Sequence, residues 1–305
     1  MRLNILLTGS SGFVGQNLLK YLRDYKITNL TRQQLNNPII AQLSNVDTII
    51  HLAGKAHDLK KSSNPEEYYQ VNCELTKKLY DAFLKSSAKK FIFVSSVKAA
   101  ADSVDNVLTE EHQPVPQTDY GKSKLMAEQY IKEQALPEGK SYYILRPCMI
   151  HGPGNKGNLN LLYKFVQKGI PYPLAAFENK RSFLSIENLC FVIKNLLENE
   201  VASGVYNVAD DEALSTNKVV EILAQSSNKK AKLWKIPAGL IKRMAKIGDV
   251  FKLPLNSERL QKLTESYVVS NEKIKSALAV SFPVSTIEGL TTTAKSFNTS
   301  TLPQP

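Results

Sequence analysis

Thr8-Gly9-Ser10-Ser11-Gly12-Phe13-Val14-Gly15 directly follows a short apolar run, Leu3–Thr8, and opens an amphipathic stretch, Phe13–Tyr25. Its glycines fall at 9, 12 and 15, a GxxGxxG spacing. The first allows a tight turn, the second lets a diphosphate approach the backbone, and the third permits close helix–strand packing. Amides at the N-terminus of the following helix then face an anion. An ordinary glycine-rich βα turn has a similar composition. Position separates the two, because a dinucleotide fingerprint requires this turn between the first strand and the first helix.

Outward from that turn, β-type runs alternate with helical ones. Lys26–Leu30 and Thr48–Ala53 read as strands, and a long helix is expected from Pro65 to Ser86. That helix is announced by an N-cap, an N1 proline and an acidic first turn in Asn64-Pro65-Glu66-Glu67. Phe91–Val94 reads as a strand, Tyr120–Ala135 as a helix and Tyr142–Leu145 as a strand. This alternation predicts an α/β fold, a Rossmann-type doubly wound parallel sheet with helices on both faces. After Arg146 the texture changes, with Gly and Pro clustered at His151-Gly152-Pro153-Gly154-Asn155 and Ile170-Pro171-Tyr172-Pro173. A smaller C-terminal α/β lobe that packs over the sheet's carboxyl edge and contacts substrate is expected there. The division is residues 1–150 for the NAD(P)-binding domain, with later segments able to return to it, 151–295 for the substrate lobe and 296–305 for a flexible tail.

Composition narrows the function classes. Of the 305 residues 43% are hydrophobic and 22% charged, which excludes a disordered or low-complexity chain. No apolar run reaches the length of a membrane span, and the first residues lack a signal-peptide pattern. Three widely spaced cysteines (Cys73, Cys148, Cys190), with no CxxC pair, argue against disulfides and zinc and fit a reducing, cytoplasmic setting. The four histidines show no HExxH spacing, so no metal is expected. The formal charge of +11 attracts polyanions. Its lysines are scattered over solvated faces, so a phosphorylated small molecule is expected rather than nucleic acid. One basic amphipathic segment, 232–247, contains the only tryptophan. It reads either as a lobe helix packing its apolar stripe inward or as a contact with an anionic membrane surface.

Two further places carry chemistry. The second strand ends in Asn29-Leu30-Thr31-Arg32, with no acid to hold a ribose 2′-hydroxyl and one cation suited to a 2′-phosphate. This favours NADP over NAD, unless Arg32 is simply a surface residue. Tyr120 and Lys124, in Tyr120-Gly121-Lys122-Ser123-Lys124, lie four apart on one helix face. A phenol is a poor base at neutral pH unless a nearby ammonium stabilises its phenolate. Ser96, at the end of the Phe91–Val94 strand, is placed to hydrogen-bond the same reacting oxygen.

Together TGSSGFVG, HLAG, VNCELT, FVSSVK, YGKSK and LRPCMIHGPG resemble the ordered motifs of the extended short-chain dehydrogenase/reductases, in the NAD-dependent epimerase/dehydratase family. Within it the chain is most similar to bacterial nucleotide-sugar C4 epimerases and 4-keto reductases. The resemblance implies that Gly9, Ser11, Gly12, Phe13 and Val14 hold the cofactor's pyrophosphate. Leu52, Ala53 and Gly54 would border its ribose and diphosphate, with Asn72 fixing the helices of the site. Tyr120 would be the acid/base and Ser96 would polarise the sugar oxygen. Lys124 would grip the nicotinamide ribose, and Pro147 and Met149 would flank the nicotinamide. Asn158 and Arg181 would bind the substrate diphosphate, unless Arg181 forms a bridge between lobes. NAD or NADP as cofactor, a nucleotide sugar as substrate and a homodimer follow from the same resemblance. Departures are Leu75 before Thr76, where glycine is usual, and Leu278-Ala279-Val280, where Leu-Gly-Trp is common. Dehydration is disfavoured because Val97-Lys98 follows Ser96 in place of an acidic pair. Epimerisation of UDP-glucose or a UDP-N-acetylhexosamine at C4 is the leading expectation. NADPH-dependent reduction of a UDP-4-keto-6-deoxy-HexNAc is the alternative, and a non-catalytic NAD(P) sensor the third.

Overall fold

The computed structural model describes residues 3–35, 43–55, 64–155, 157–251 and 256–299. The first part runs β1 (Asn4–Thr8), α1 (Phe13–Tyr21), β2 (Lys26–Leu30), α2 (Arg32–Leu35), β3 (Thr48–His51), α3 (Pro65–Tyr68), α4 (Leu75–Lys85), β4 (Lys90–Val94), α5 (Asp119–Glu133) and β5 (Ser141–Pro147). The second runs β6 (Met149–His151), α6 (Asn158–Gln167), β7 (Phe183–Ser185), α7 (Ile186–Glu198), β8 (Gly204–Val208), α8 (Thr216–Gln225), α9 (Ala238–Phe251), α10 (Ser257–Thr264), α11 (Glu272–Leu278) and α12 (Thr286–Thr299).

Six strands form one parallel sheet in the order β2-β1-β3-β4-β5-β8. The central strands are apolar on both faces, as a parallel sheet covered on two sides demands. Alternate residues divide between two cores. Ile5, Leu7, Ile50, Ile92, Val94 and Leu145 pack on the face that carries Leu18 of α1 and Leu189 and Ile193 of α7. Leu6, Ile49, Phe91, Phe93 and Ile144 pack on the opposite face with Leu79 and Phe83 of α4 and Ile131 of α5. The sixth strand, β8, shows that the sheet draws on chain well beyond residue 150. A third apolar cluster, built from α6, α8, α9, α10 and α12, makes the second lobe. Beside it lies the short parallel pair β6–β7.

The helix expected as one piece from Pro65 to Ser86 begins as the sequence indicates, the Asn64 side chain accepting from Glu66 N at 3.1 Å. It is then interrupted by a π-helical turn over Tyr69–Glu74. Widening the turn by one residue buries Asn72 and Cys73 completely and directs Asn72 toward α5. Such insertions tend to mark functional places. No helix among the described residues is long and apolar enough to cross a membrane.

Candidate active site

The glycine turn forms an open cradle at the carboxyl end of β1. Gly9 has φ +73, and a Cβ there would stand 2.6 Å from Ala53 N at the end of β3. A Cβ on Gly15 would collide with Gly9 O. Only glycine lets β1, β3 and α1 converge this closely. Gly12 caps α1 without any side-chain hydrogen bond, so the positive end of the helix faces out of the turn unneutralised by an acid. The absent Cβ atoms and the uncapped helix end fit the diphosphate of a dinucleotide.

A buried hydrogen-bond chain holds this cradle to the rest of the site. Thr8 Oγ1 meets His51 Nδ1 at 2.7 Å and receives Ala53 N at 3.1 Å. His51 Nε2 lies 2.9 Å from Thr76 Oγ1, whose proton goes to Asn72 O at 2.7 Å. Since Thr76 already donates, His51 carries its proton on Nε2 and accepts from Thr8 on Nδ1. Burial, with the nearby Lys124 charge, drives the imidazole pKa down to about 3, so the ring stays neutral. Asn72 Oδ1 accepts from Lys55 N at 2.7 Å, and its amide donates to Ser123 Oγ at 3.1 Å. Asn72 thus joins the loop after β3 to the first turn of α5.

Ser96, Tyr120 and Lys124 converge at the carboxyl end of β4. Thr118 caps α5 by accepting from Gly121 N at 3.2 Å, which fixes the turn that carries Tyr120. Ser96 Oγ accepts from Lys98 N at 3.2 Å and stands near enough to the Tyr120 phenol to bear on its ionisation. Tyr68 sets its ring edge-on to Tyr120, with centroids 6.2 Å apart. Burial raises the phenol's pKa and the Ser96 bond opposes the rise. The sequence suggested Lys124 as the lowering influence, but its ammonium donates to Val94 O at 3.0 Å and lies 4.8 Å over the Phe93 ring. It also borders Gly54, whose added Cβ would stand 3.1 Å from Nζ. Burial lowers the Lys124 pKa to about 8, and Glu128 partly counters that fall.

Glu128 was not singled out in the sequence. It is buried one turn beyond Lys124 and accepts Arg146 Nε at 3.1 and 3.0 Å and Arg146 Nη2 at 2.5 Å. Ser95 Oγ donates to the same carboxylate at 2.5 Å. This ion pair pins α5 to β4 and β5 behind the reacting groups. His51, Thr8, Ser123 and Tyr68 were likewise unassigned, although the HLAG motif already contained the histidine.

Other expected residues are placed as follows. Pro147 ends β5 and Met149 begins β6 half-exposed, with Cys148 N bonded to Val208 O at 3.1 Å between them. Asn158 is exposed at the start of α6. Arg181 is half-buried, its guanidinium donating to Glu265 O at 3.2 Å and to Lys262 O. Its bridge between segments therefore runs to main-chain carbonyls, not to a carboxylate. The Arg32 side chain lies outside the described residues. No group of three or more His, Cys, Asp or Glu suited to a metal occurs among the described residues.

The profile of the NAD dependent epimerase/dehydratase family matches residues 5–209. UDP-glucose 4-epimerase of Vibrio cholerae is 31% identical over 96% of this chain and 95% of its own. The chain belongs to the NAD-dependent epimerase/dehydratase family. As a member of that family of extended short-chain dehydrogenase/reductases it is an enzyme, and its cofactor is NAD or NADP. A second family relative, N-acetyl-alpha-D-glucosaminyl-diphospho-ditrans,octacis-undecaprenol 4-epimerase of Escherichia coli O157:H7, is 35% identical over 77% of this chain and 75% of its own. The family fold is shared with UDP-N-acetylglucosamine 4-epimerase of Bacillus cereus, at TM-score 0.75, 23% identity and coverage of 98% and 99% of the two chains.

Proposed function

We propose that the protein epimerises a UDP-sugar, UDP-glucose or a UDP-N-acetylhexosamine, at C4. The observation that carries this reading is the meeting of Ser96, Tyr120 and Lys124 at the carboxyl end of β4, where the buried Lys124 ammonium donates to Val94 O at 3.0 Å beside Gly54. Gly9, Ser11, Gly12, Phe13 and Val14 would hold the pyrophosphate, and Leu52, Ala53, Gly54 and Asn72 the ribose side. Lys124 would reach the nicotinamide ribose, and Pro147 and Met149 would line the ring. The nicotinamide supplies the hydride acceptor and donor. Tyr120 takes the O4 proton as C4 is oxidised and returns it when the turned 4-keto sugar is reduced on its other face, so the proton balance closes. Ser96 holds O4 in line with the phenol. Arg181 and Asn158 would meet the diphosphate, Arg181 through guanidinium N–H groups not used on the Lys262 and Glu265 carbonyls.

The absence of an acid in Asn29-Leu30-Thr31-Arg32 supports a second reading, NADPH-dependent reduction of a UDP-4-keto-6-deoxy-HexNAc. The purified protein is assayed with UDP-glucose, UDP-N-acetylglucosamine and the 4-keto-6-deoxy sugar, each with NAD and with NADPH. Interconversion of C4 epimers without net consumption of cofactor is expected. Stoichiometric NADPH consumption with the keto sugar alone identifies the reductase, and cofactor binding with no turnover of any sugar overturns both readings.

A further inference from the structure

Helix α9 has two apolar stripes and buries one of them. Ile241, Ala245 and Gly248, spaced i, i+4, i+7, face the lobe's core. Leu240, Met244, Ile247 and Phe251, spaced i, i+4, i+7, i+11, form a neighbouring stripe and are 52%, 52%, 54% and 70% exposed. Val250 is 74% exposed on the same helix, and Trp234 just before it is 57% exposed. A surface helix ordinarily turns polar residues outward, and a contiguous exposed apolar stripe marks an interaction site. Exposed cations border it: Lys242, Arg243 and Lys246 on the helix and Lys232 and Lys235 on either side of Trp234. The one acid of α9, Asp249, is engaged by Ser257 N at 2.8 Å and Ser257 Oγ at 2.5 Å. Apolar side chains with a cationic border are the pattern of a helix lying in a lipid interface.

The stripe is also tied to the candidate site. Helix α10 packs on α9, and carbonyls at and just beyond its end, Lys262 O and Glu265 O, hold Arg181. Tyr267 follows, its hydroxyl donating to Ala101 O at 2.7 Å and its ring lying 4.4 Å from the Lys98 ammonium. Lys98 N in turn bonds Ser96 Oγ. A second copy of the chain suits this face poorly, since a twofold contact sets the same patch, cations included, against itself.

We propose that α9, with Trp234, docks the protein on the anionic surface of a lipid bilayer. Anionic lipid attracts each nearby Lys or Arg, and the apolar stripe enters the headgroup boundary.

The test is co-sedimentation of the full chain with phosphatidylglycerol/phosphatidylethanolamine vesicles and with phosphatidylcholine vesicles, at about 0.1 M salt and above. The protein is expected to pellet with the anionic vesicles, less so as salt rises, and to stay in solution with the neutral ones. Met244→Ser/Ile247→Ser is expected to weaken vesicle binding by about tenfold or more. The variant's turnover of UDP-N-acetylglucosamine in solution should not change. A protein that stays in solution with anionic vesicles overturns the docking, as does a variant that binds them like the parent. So does light scattering showing that the substitutions dissociate a dimer while vesicle binding persists. Vesicle binding by a protein that turns over no UDP-sugar supports the docking and counts against the reaction proposed above instead.

Discussion

Ser96 bears on the Tyr120 phenol while Lys124 lies buried one turn along the same helix, and each makes a prediction of its own. Ser96 supplies the bond that opposes the burial-driven rise in the phenol's pKa. Removing it with Ser96→Ala is expected to move the acidic limb of the kcat/KM profile to higher pH, since the phenol must be deprotonated to take the O4 proton. Turnover at neutral pH should fall by about 10²-fold. An unmoved limb would mean that Ser96 does not touch the titrating group. Lys124 is a buried cation whose pKa falls to about 8 in the folded chain, below the ordinary lysine value of 10.5. A lowered lysine pKa weakens folding fully at pH below 8, and the loss fades as pH rises from 8 to 10.5. Lys124→Met should therefore be inactive yet more stable than the parent at pH 7, by on the order of 1–3 kcal/mol. In denaturant titrations that advantage should shrink above pH 8. A variant less stable at every pH would contradict the burial argument. That Tyr120 and Lys124 share a helix face near Ser96 was readable because the YxxxK spacing and the strand end are local patterns. Glu128 and Arg146 were not, because their meeting depends on α5 packing against β5.

Elements explain where reading the sequence stopped. Helix α11 ends at Ala279, which takes φ +52 where the resemblance led one to expect glycine. An L-residue in the left-handed region is disfavoured by roughly 1 kcal/mol. Ala279→Gly is expected to raise stability by about 0.5–1 kcal/mol in thermal or chemical denaturation, and a loss of stability would show that the methyl group packs usefully. Glu128→Gln tests the joint between α5 and the sheet. It leaves Arg146 buried with its charge unmatched and is expected to lower stability by about 3–5 kcal/mol. A change below about 1 kcal/mol would mean that the joint is not holding the site. Strands β1 to β5 were legible from their apolar runs, with boundaries a residue or two off. The π-helical turn was not, since periodicity alone cannot show an extra residue in a helix that continues on both sides. Nor could spacing tell which of α9's two apolar stripes would face the core.

At the scale of the molecule, the parallel sheet brings the ends of β1, β3, β4 and β5 to one edge. The glycine cradle, the loop after β3, the Ser96 turn and the first turns of α5 meet there. The second lobe brings Arg181 to the same edge, through the segment that follows α10. The doubly wound sheet followed from strand and helix alternation, which is local. The return of β8 to the sheet and the carbonyl bonds of Arg181 depend on contacts between distant segments, which no local pattern records. In the proposed reaction the whole arrangement serves proton transfer by one phenol at the sugar's O4. The most direct measurement compares the parent with Tyr120→Phe by proton NMR, following the C4 epimer formed from UDP-N-acetylglucosamine while cofactor binding is titrated separately. The account predicts that the variant binds cofactor like the parent and forms the epimer at least about 10³-fold more slowly. An epimerisation rate within a few-fold of the parent's would contradict it.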